Sequence, residues 1–395
     1  MRITYFADVR FPLERANGIQ TMETCYALAK RGHDVDLIVR ADTQAPPRDP
    51  FEYYGLPPEP RLRIERAPVT GPSAARRLGY LSFALGRGLG SSRAEALVTR
   101  DLGVASLLVG MPGHFRPPVV YESHGYAPDV AAALPDLVAT ARSPSPRKVR
   151  RLAAREERVW RRADGYVTIT GALRDDLTAR FGGRGPLAVI PDGVRITDPG
   201  RSPFQPAGSN GGDTIVAYAG HLYAWKGVDV LLEALARVPN ALGLIVGGHA
   251  AEPDLERLKA LAARLGIAGR VTFTGLVEPA CVAELLGQAG ILALPNPASA
   301  ISTRFTSPLK LFEYMAAGRP IVASDLPSIR EVLRHDENAL LVAPGDAGAM
   351  AAAIHRLIAD PPLGARLARA AFDAAPEYSW DRRAERLERL LADVV

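Results

Sequence analysis

Short, continuous apolar runs recur along the chain and alternate with longer stretches of helical period. The first half contains ITYFA, VDLIV, ALVT, VVYE, YVTI and LAVI; the second contains IVAYAG, LGLIVG, VTFTG, ILALP, PIVAS and ALLV. Runs that are apolar on both faces are what parallel strands need when helices cover them on both sides. Between them lie amphipathic stretches such as TMETCYALAKRG, VDVLLEALARV and LERLKALAARLG. The alternation predicts an α/β protein built on parallel sheets. A chain of 395 residues is long for one hydrophobic core, so two domains are expected. The rhythm lapses at 191–213, PDGVRITDPGRSPFQPAGSNGGD, which reads as a hinge between two doubly wound domains. A second Pro-rich loop spans 41–60, within the first half. The last stretch, WDRRAERLERLLADVV, spaces Leu387, Leu390 and Leu391 as a terminal amphipathic helix does.

Charge adds one local feature. The net charge is +5, and the window 142–162, RSPSPRKVRRLAAREERVWRR, holds nine Arg or Lys against two Glu. That window alone carries +7 and leaves the rest of the chain at −2, which points to a local anionic partner and away from a nucleic-acid-coating protein. Two readings stand side by side: a solvated helix face packed on the first domain, or a patch (147–162) that docks an anionic membrane surface or a lipid-diphosphate acceptor. No run of eighteen apolar residues occurs, and MRITYFADVR, with Arg2, Asp8 and Arg10, reads as a strand and not as a signal peptide. Cys25 and Cys281 are far apart, without metal-ligand spacing, and fit small apolar positions on helix faces in a reducing cytosol.

Candidate chemistry concentrates in FTSPLKLFEYMAAGRP, residues 305–320. Thr306 or Ser307 suits an N-cap and Pro308 the first helical turn. Leu309, Phe312 and Ala316 then share a core face, while Lys310 and Glu313, three apart, share another. A helix N-terminus with an added Lys is an anion site. At roughly 1.5 Å per residue, Glu313 sits about 9 Å along the axis from Ser307, far enough to take ribose hydroxyls beside a pyrophosphate. The plainer reading is an exposed Lys–Glu pair on an ordinary helix. His124, after the strand VVYE, falls at the carboxyl end of a parallel strand, where α/β proteins form their crevices. Glu122 beside it is a weaker candidate and would equally anchor the loop. Lys226, in AWKG, is either solvated or part of a second strand–helix phosphate site.

Taken together, these segments resemble the GT-B glycosyltransferases of the large retaining family 4. IVAYAGHLYAWKGVDVLLEAL resembles that family's "GR…KG…LL.A" segment, SPLKLFEYMAAGRPIVASDLPSIREVLRHDENALLVAPGD its nucleotide-binding core, and VIPDGV its hinge strand. YVTITGALRDDL and YSWDRRAERLERLL match its preceding strand–helix and its terminal helix. The resemblance implies two Rossmann-like doubly wound domains facing a central cleft. Residues 1–192 would bind the acceptor and 193–376 the nucleotide sugar, with 377–395 packing back on the first domain. It implies a cytoplasmic enzyme, peripheral at the inner face of the membrane if the basic helix docks there, that moves a sugar from a nucleoside-diphosphate sugar to an acceptor hydroxyl with retention. The acceptor would be sugar-containing, lipid-linked or a small molecule.

In that family reading His124, Lys226 and Glu313 are the catalytic candidates. Gly18, Gly220, His221, Phe305, Thr306, Ser307, Pro308, Leu309 and Lys310 join Lys226 and Glu313 around the donor. Gly18, in the loop NGIQ, would let the backbone approach it. No cofactor and no metal are implied. Three positions depart from the pattern: His221 replaces an Arg, Phe305 the first Glu of an E-x7-E motif, and Asn17-Gly18 a Gly pair. Phe305 and His221 keep alive a non-catalytic transferase-like regulator, while a nucleotide-sugar epimerase of similar build fits the hinge and terminal helix less well.

Overall fold

The computed structural model describes all residues except 91–93, 138–141, 197–211, 250–252, 300–301 and 304–308. The chain divides into two compact units: one formed by Met1–Ala132, Ser143–Gly193 and Trp380–Val395, the other chiefly by Val194–Ser379. Each is built on a wholly parallel sheet.

In the first unit the strands are β1 (Arg2–Arg10), β2 (Asp34–Arg40), β3 (Leu62–Ala67), β4 (Ala96–Thr99), β5 (Val119–Ser123), β6 (Gly165–Thr168) and β7 (Leu187–Val189), in the order β3-β2-β1-β4-β5-β6-β7. In the second they are β8 (Thr214–Ala219), β9 (Ala241–Val246), β10 (Val271–Gly275), β11 (Ile291–Leu294), β12 (Ile321–Ser324) and β13 (Leu340–Val342), in the order β10-β9-β8-β11-β12-β13. Both follow the doubly wound 3-2-1-4-5-6 order, which reverses direction beside the first strand of each sheet. β4, β5, β6, β11 and β12 are buried at every position, as their unbroken apolar runs require. The core of the second unit lies on both sheet faces: Val216, Tyr218, Leu231, Ile245 and Ile354 pack on one, Ala217, Leu292, Phe312, Met315 and Ile321 on the other.

Twelve of these thirteen strands coincide with apolar runs of the sequence. The thirteenth, β3, is the edge strand LRIERA; it is buried only at its two ends, so it carries Arg63, Glu65 and Arg66 where the other strands carry aliphatics. The loop 41–60 contains a four-residue helix, Pro50–Tyr53, whose first turn is capped by Asp49. Cys25 is buried, but Cys281 is exposed and does not serve as a core residue. Most of the 191–213 hinge lies outside the described residues; at its start Val194 bridges Ser379. The terminal helix Trp380–Val394 buries Leu387, Leu390 and Leu391 as their spacing predicts, and its main helix neighbour is Ala16–Lys30 of the same unit. Trp380 lies so close to Gly193 that a Cβ there would stand 2.8 Å from its ring.

The basic window forms the helix Pro146–Arg162, N-capped by Ser145 and anchored by buried Glu156, Val159 and Trp160. No described helix is long and apolar enough to cross a membrane.

Candidate active site

At the carboxyl edge of the first sheet a buried polar cluster gathers around Glu122, the fourth residue of β5, which is wholly inaccessible. Arg383 of the terminal helix, itself buried, donates through Nη2 to Glu122 Oε2 at 2.5 Å. Gln20 Nε2 donates to Glu122 Oε1 at 2.7 Å, and Arg100 in turn donates to Gln20 Oε1 at 2.7 Å. His124 Nε2 lies 2.5 Å from Glu122 Oε1. The remaining donors of Arg383 go to Thr24 Oγ1 (3.1 Å), Ile190 O (2.9 Å) and Pro191 O (2.6 Å), so one guanidinium ties together the first helix, β5, the segment after β7 and the terminal helix. Burial pushes the Glu122 carboxyl up, but the Arg383 charge, the His124 hydrogen bond and Arg100 outweigh it and hold it at about 2. His124, half-buried, is held below the ordinary histidine value by burial and then by Arg100, against the pull of Glu122 and Asp192. Burial raises the carboxyl of Asp192.

Glu122, His124 and Asp192 present oxygen or nitrogen atoms within 4.8 Å of one another. Such a set could in principle clasp a cation. Both Glu122 oxygens are already engaged, however, and a guanidinium 2.5 Å from one of them opposes a second positive charge.

The second cluster lies at the carboxyl edge of the other sheet, after β8. The chain passes through Gly220 and a 3₁₀ turn, Ala224–Lys226, and then enters the helix Val228–Ala236. Gly227 makes that entry possible: its φ is +75°, and a Cβ would fall 1.9 Å from the Pro295 carbonyl, so no other residue fits between this turn and the segment after β11. The Lys226 ammonium rests 3.7 Å from the Trp225 ring centroid, and burial lowers its pKa to about 8. The rings of His221, Tyr223 and Trp225 lie nearly parallel in sequence, 5.1 and 6.5 Å apart.

The helix Leu309–Ala316 faces this turn. Tyr314 Oη accepts from the Ala219 amide at 2.8 Å, fixing the helix to the end of β8, while Phe312 stacks on Tyr378. Lys310 is buried, against the plainer reading of an exposed Lys–Glu pair: its ammonium donates to Tyr218 Oη at 2.7 Å and stands 3.2 Å from where a Cβ on Gly220 would be. The apolar face is thus wider than Leu309, Phe312 and Ala316, because the cover over Lys310 comes from Tyr218 of a strand 92 residues earlier. Burial and then repulsion from Lys226 push the Lys310 pKa well down, and Glu313 opposes them. Glu313 is raised by burial and lowered by Lys310 and Arg195. Among the described residues neither lysine has a carboxylate within ion-pair distance. Among the described residues, Glu313 is the carboxylate that acts on Lys310, while burial alone lowers Lys226.

The candidates thus fall into separate groups. Lys226, Lys310, Glu313, Gly220 and His221 come together after β8, with Leu309 buried beside them; His124 stands in the first unit with Glu122. Phe305, Thr306, Ser307 and Pro308, and with them the proposed N-cap, lie outside the described residues. Gly18 is not in a loop but in the first turn of the helix Ala16–Lys30, and its missing side chain is accounted for by packing: a Cβ would meet Leu13 O at 2.3 Å and Tyr54 Oη at 2.6 Å. Sequence reasoning missed Gln20, Arg100, Tyr218 and Arg383. For Arg383 a signal existed, since it shares the Trp380–Leu387–Leu390 stripe of its helix, a position at which an arginine is buried and must be paired.

Comparison with known proteins adds the following. The model described as "Glycosyl transferases group 1" matches residues 213–360, and the "Glycosyl transferase 4-like domain" matches 18–193. The D-inositol 3-phosphate glycosyltransferase of Xylanimonas cellulosilytica is 28% identical over 384 residues, covering 93% of this chain and 88% of that protein. Among solved structures, sucrose-phosphate synthase from Thermosynechococcus elongatus superposes with a TM-score of 0.78 at 20% identity, over 98% of both chains. HepE from Anabaena in complex with UDP-glucose gives 0.71 at 18% identity, over 99% of both. These last two likenesses establish the GT-B fold.

Proposed function

The chain belongs to the group 1 glycosyl transferases and is a glycosyltransferase; from that premise we propose that it takes its sugar from a nucleoside-diphosphate donor and transfers it with retention to an acceptor hydroxyl, without a metal ion. The observation that carries this reading is that Lys310 is buried on Tyr218 and Lys226 rests on Trp225, and that among the described residues neither ammonium group has a carboxylate within ion-pair distance. A diphosphate supplies what is lacking. Its binding would let both ammonium groups keep their protons, and as the sugar leaves, the same charges would stabilise the departing diphosphate. Glu313, an acceptor three residues beyond Lys310, would take the ribose hydroxyls. The UDP-glucose complex of the structurally similar HepE supports the donor class. In the transfer the acceptor oxygen bonds to the anomeric carbon on the face from which the diphosphate departs, the carbon–phosphate oxygen bond breaks, and the acceptor proton passes to the released diphosphate.

Thermal stabilisation and calorimetry with UDP, GDP, ADP and TDP test the donor site. One of the four should raise the melting temperature of the wild type, and Glu313→Ala should abolish that shift. No shift with any of them would overturn the reading. Turnover of the corresponding sugar donor should survive chelators, and the anomeric coupling of the product, read by NMR, decides retention.

The helix Pro146–Arg162 favours a second element of the reading, a peripheral contact with an anionic membrane where a lipid-linked acceptor would be presented. Arg147, Lys148, Arg150, Arg151, Arg158 and Arg162 are exposed and, among the described residues, have no carboxylate partner, whereas Arg161 pairs with Glu157. Co-sedimentation with vesicles containing anionic lipid, lost in Arg150→Glu/Arg151→Glu and at high salt, is the expected result; equal behaviour of the two proteins would remove it.

A further inference from the structure

We propose that Arg383, carried by the terminal helix, is a positioning residue for His124: acting through Glu122, it holds the imidazole in the tautomer that is protonated at Nε2 and leaves Nδ1 as a hydrogen-bond acceptor. The argument begins with donor and acceptor inventories. An ionised carboxylate only accepts, so whichever ring nitrogen faces it must carry a hydrogen. The nitrogen that faces Glu122 Oε1 is Nε2, at 2.5 Å. A neutral imidazole has one N–H, so Nδ1 is then bare. Selection of the tautomer therefore depends on Glu122 staying ionised although it is wholly buried.

That ionisation is what Arg383 secures. A buried carboxylate without a partner takes up a proton, and a protonated Glu122 could donate as well as accept and would select nothing. Arg383 faces Oε2 at 2.5 Å, and Gln20 shares Oε1 with His124. Arg383 is itself fixed by the Ile190 and Pro191 carbonyls and by Thr24, so it has no freedom to turn away. The other charged or titratable groups around the imidazole are Arg100 and Asp192; the first disfavours and the second favours the imidazolium. Because His124 is half-buried while Glu122 is sealed, one side of the ring remains within reach of a ligand.

The consequence for function rests on the glycosyl-transfer reading: a bare Nδ1 can accept from a sugar hydroxyl and cannot donate to a phosphate oxygen. The test has two arms that fail separately. Heteronuclear NMR of the ring nitrogens in the full chain, without substrate, reads the tautomer directly, His124 being assigned by its loss in His124→Gln. The wild type is expected as the Nε2–H tautomer, protonating only below the ordinary histidine range. Glu122→Gln, which puts an amide with both donor and acceptor atoms against the ring, should give mixed tautomers, as should Arg383→Met; Arg383→Lys, which keeps the charge, should restore most of the wild-type signal. An unchanged tautomer in both Glu122→Gln and Arg383→Met would overturn the proposal, and the former keeps the test open should the latter fail to fold. In the kinetic arm, kcat is expected to fall by about tenfold or more in Glu122→Gln with donor KM little changed, as follows when an interaction made in the transition state is lost. A shifted tautomer with unaltered kcat would keep the lock and discard the role of His124 in transfer.

Discussion

The two polar clusters differ in how their charge is balanced. Around Glu122 the carboxylate is met on both oxygens: it has a guanidinium, an amide and an imidazole, and is held at about 2. Around Lys226 and Lys310 the balance is broken, and both lysines are pushed towards neutrality. A satisfied cluster is rigid and sets geometry; an unsatisfied one is a standing demand for a ligand of the missing sign. One protein thus uses the same ingredients, buried ionisable groups at the carboxyl edge of a parallel sheet, for two purposes.

The contrast can be broken most forcefully on the satisfied side. Arg383→Met leaves a buried carboxylate unpaired and should cost about 3–5 kcal/mol of stability near neutral pH, measured by denaturant unfolding. The sign with pH follows from Glu122, whose folded value lies below its ordinary one. The stabilisation is present above the ordinary carboxylate value near 4.5 and is lost as the pH falls towards about 2, so the gap between wild type and variant should close over that window.

On the unsatisfied side, truncation should act on ligand binding and much less on folding. Lys226→Ala is expected to weaken the diphosphate by about a hundredfold, a loss of about 2.7 kcal/mol, measured by calorimetry, with a melting temperature equal to or above that of the wild type. A large loss of stability in this variant would erase the contrast. The free-state Lys226 value of about 8 sets a third expectation: diphosphate affinity is level below that pH and falls by up to about tenfold per unit above it, with a matching uptake of protons on binding. Lys226→Arg should remove the break. The smallest change is His221→Arg, which adds a cation beside the lysines. It should lower the melting temperature of the free protein slightly and tighten the diphosphate a few-fold; the reverse on both counts would mean that the site lacks no negative charge.

How far the sequence alone reaches differs between the clusters for a related reason. Twelve strands were legible as apolar runs, and β3 was not, because this edge strand is buried only at its two ends and carries Arg63, Glu65 and Arg66 between them. Lys226 stands beside Gly227 and a helix start that betray a strand–turn–helix edge, Glu313 lies one turn into its helix, and His124 follows directly on β5. Lys310 was placed on the right helix, but its burial was not legible, since its cover is Tyr218 of β8. The Glu122 cluster was scarcely legible, because Gln20, Arg100, Glu122 and Arg383 come from four separate elements and meet only in the folded unit. A charged residue in an amphipathic terminal helix reads as solvated unless its place on the apolar stripe is weighed.

The first unit includes Trp380–Val395 and is interrupted by the whole of Val194–Ser379. During synthesis its first 193 residues therefore emerge well before the helix that completes them. At roughly 5–20 residues per second the intervening 186 residues take about ten to forty seconds to appear. Throughout that interval Glu122 has no guanidinium, the Trp380 packing against Gly193 is absent, and the nascent half-protein exposes the apolar surface that Leu387, Leu390 and Leu391 later cover. The helix Trp380–Val394 thus acts as a completion signal: a ribosome that stops before it, or a protease that removes it, leaves a polypeptide with both sheets present and its first unit unfinished.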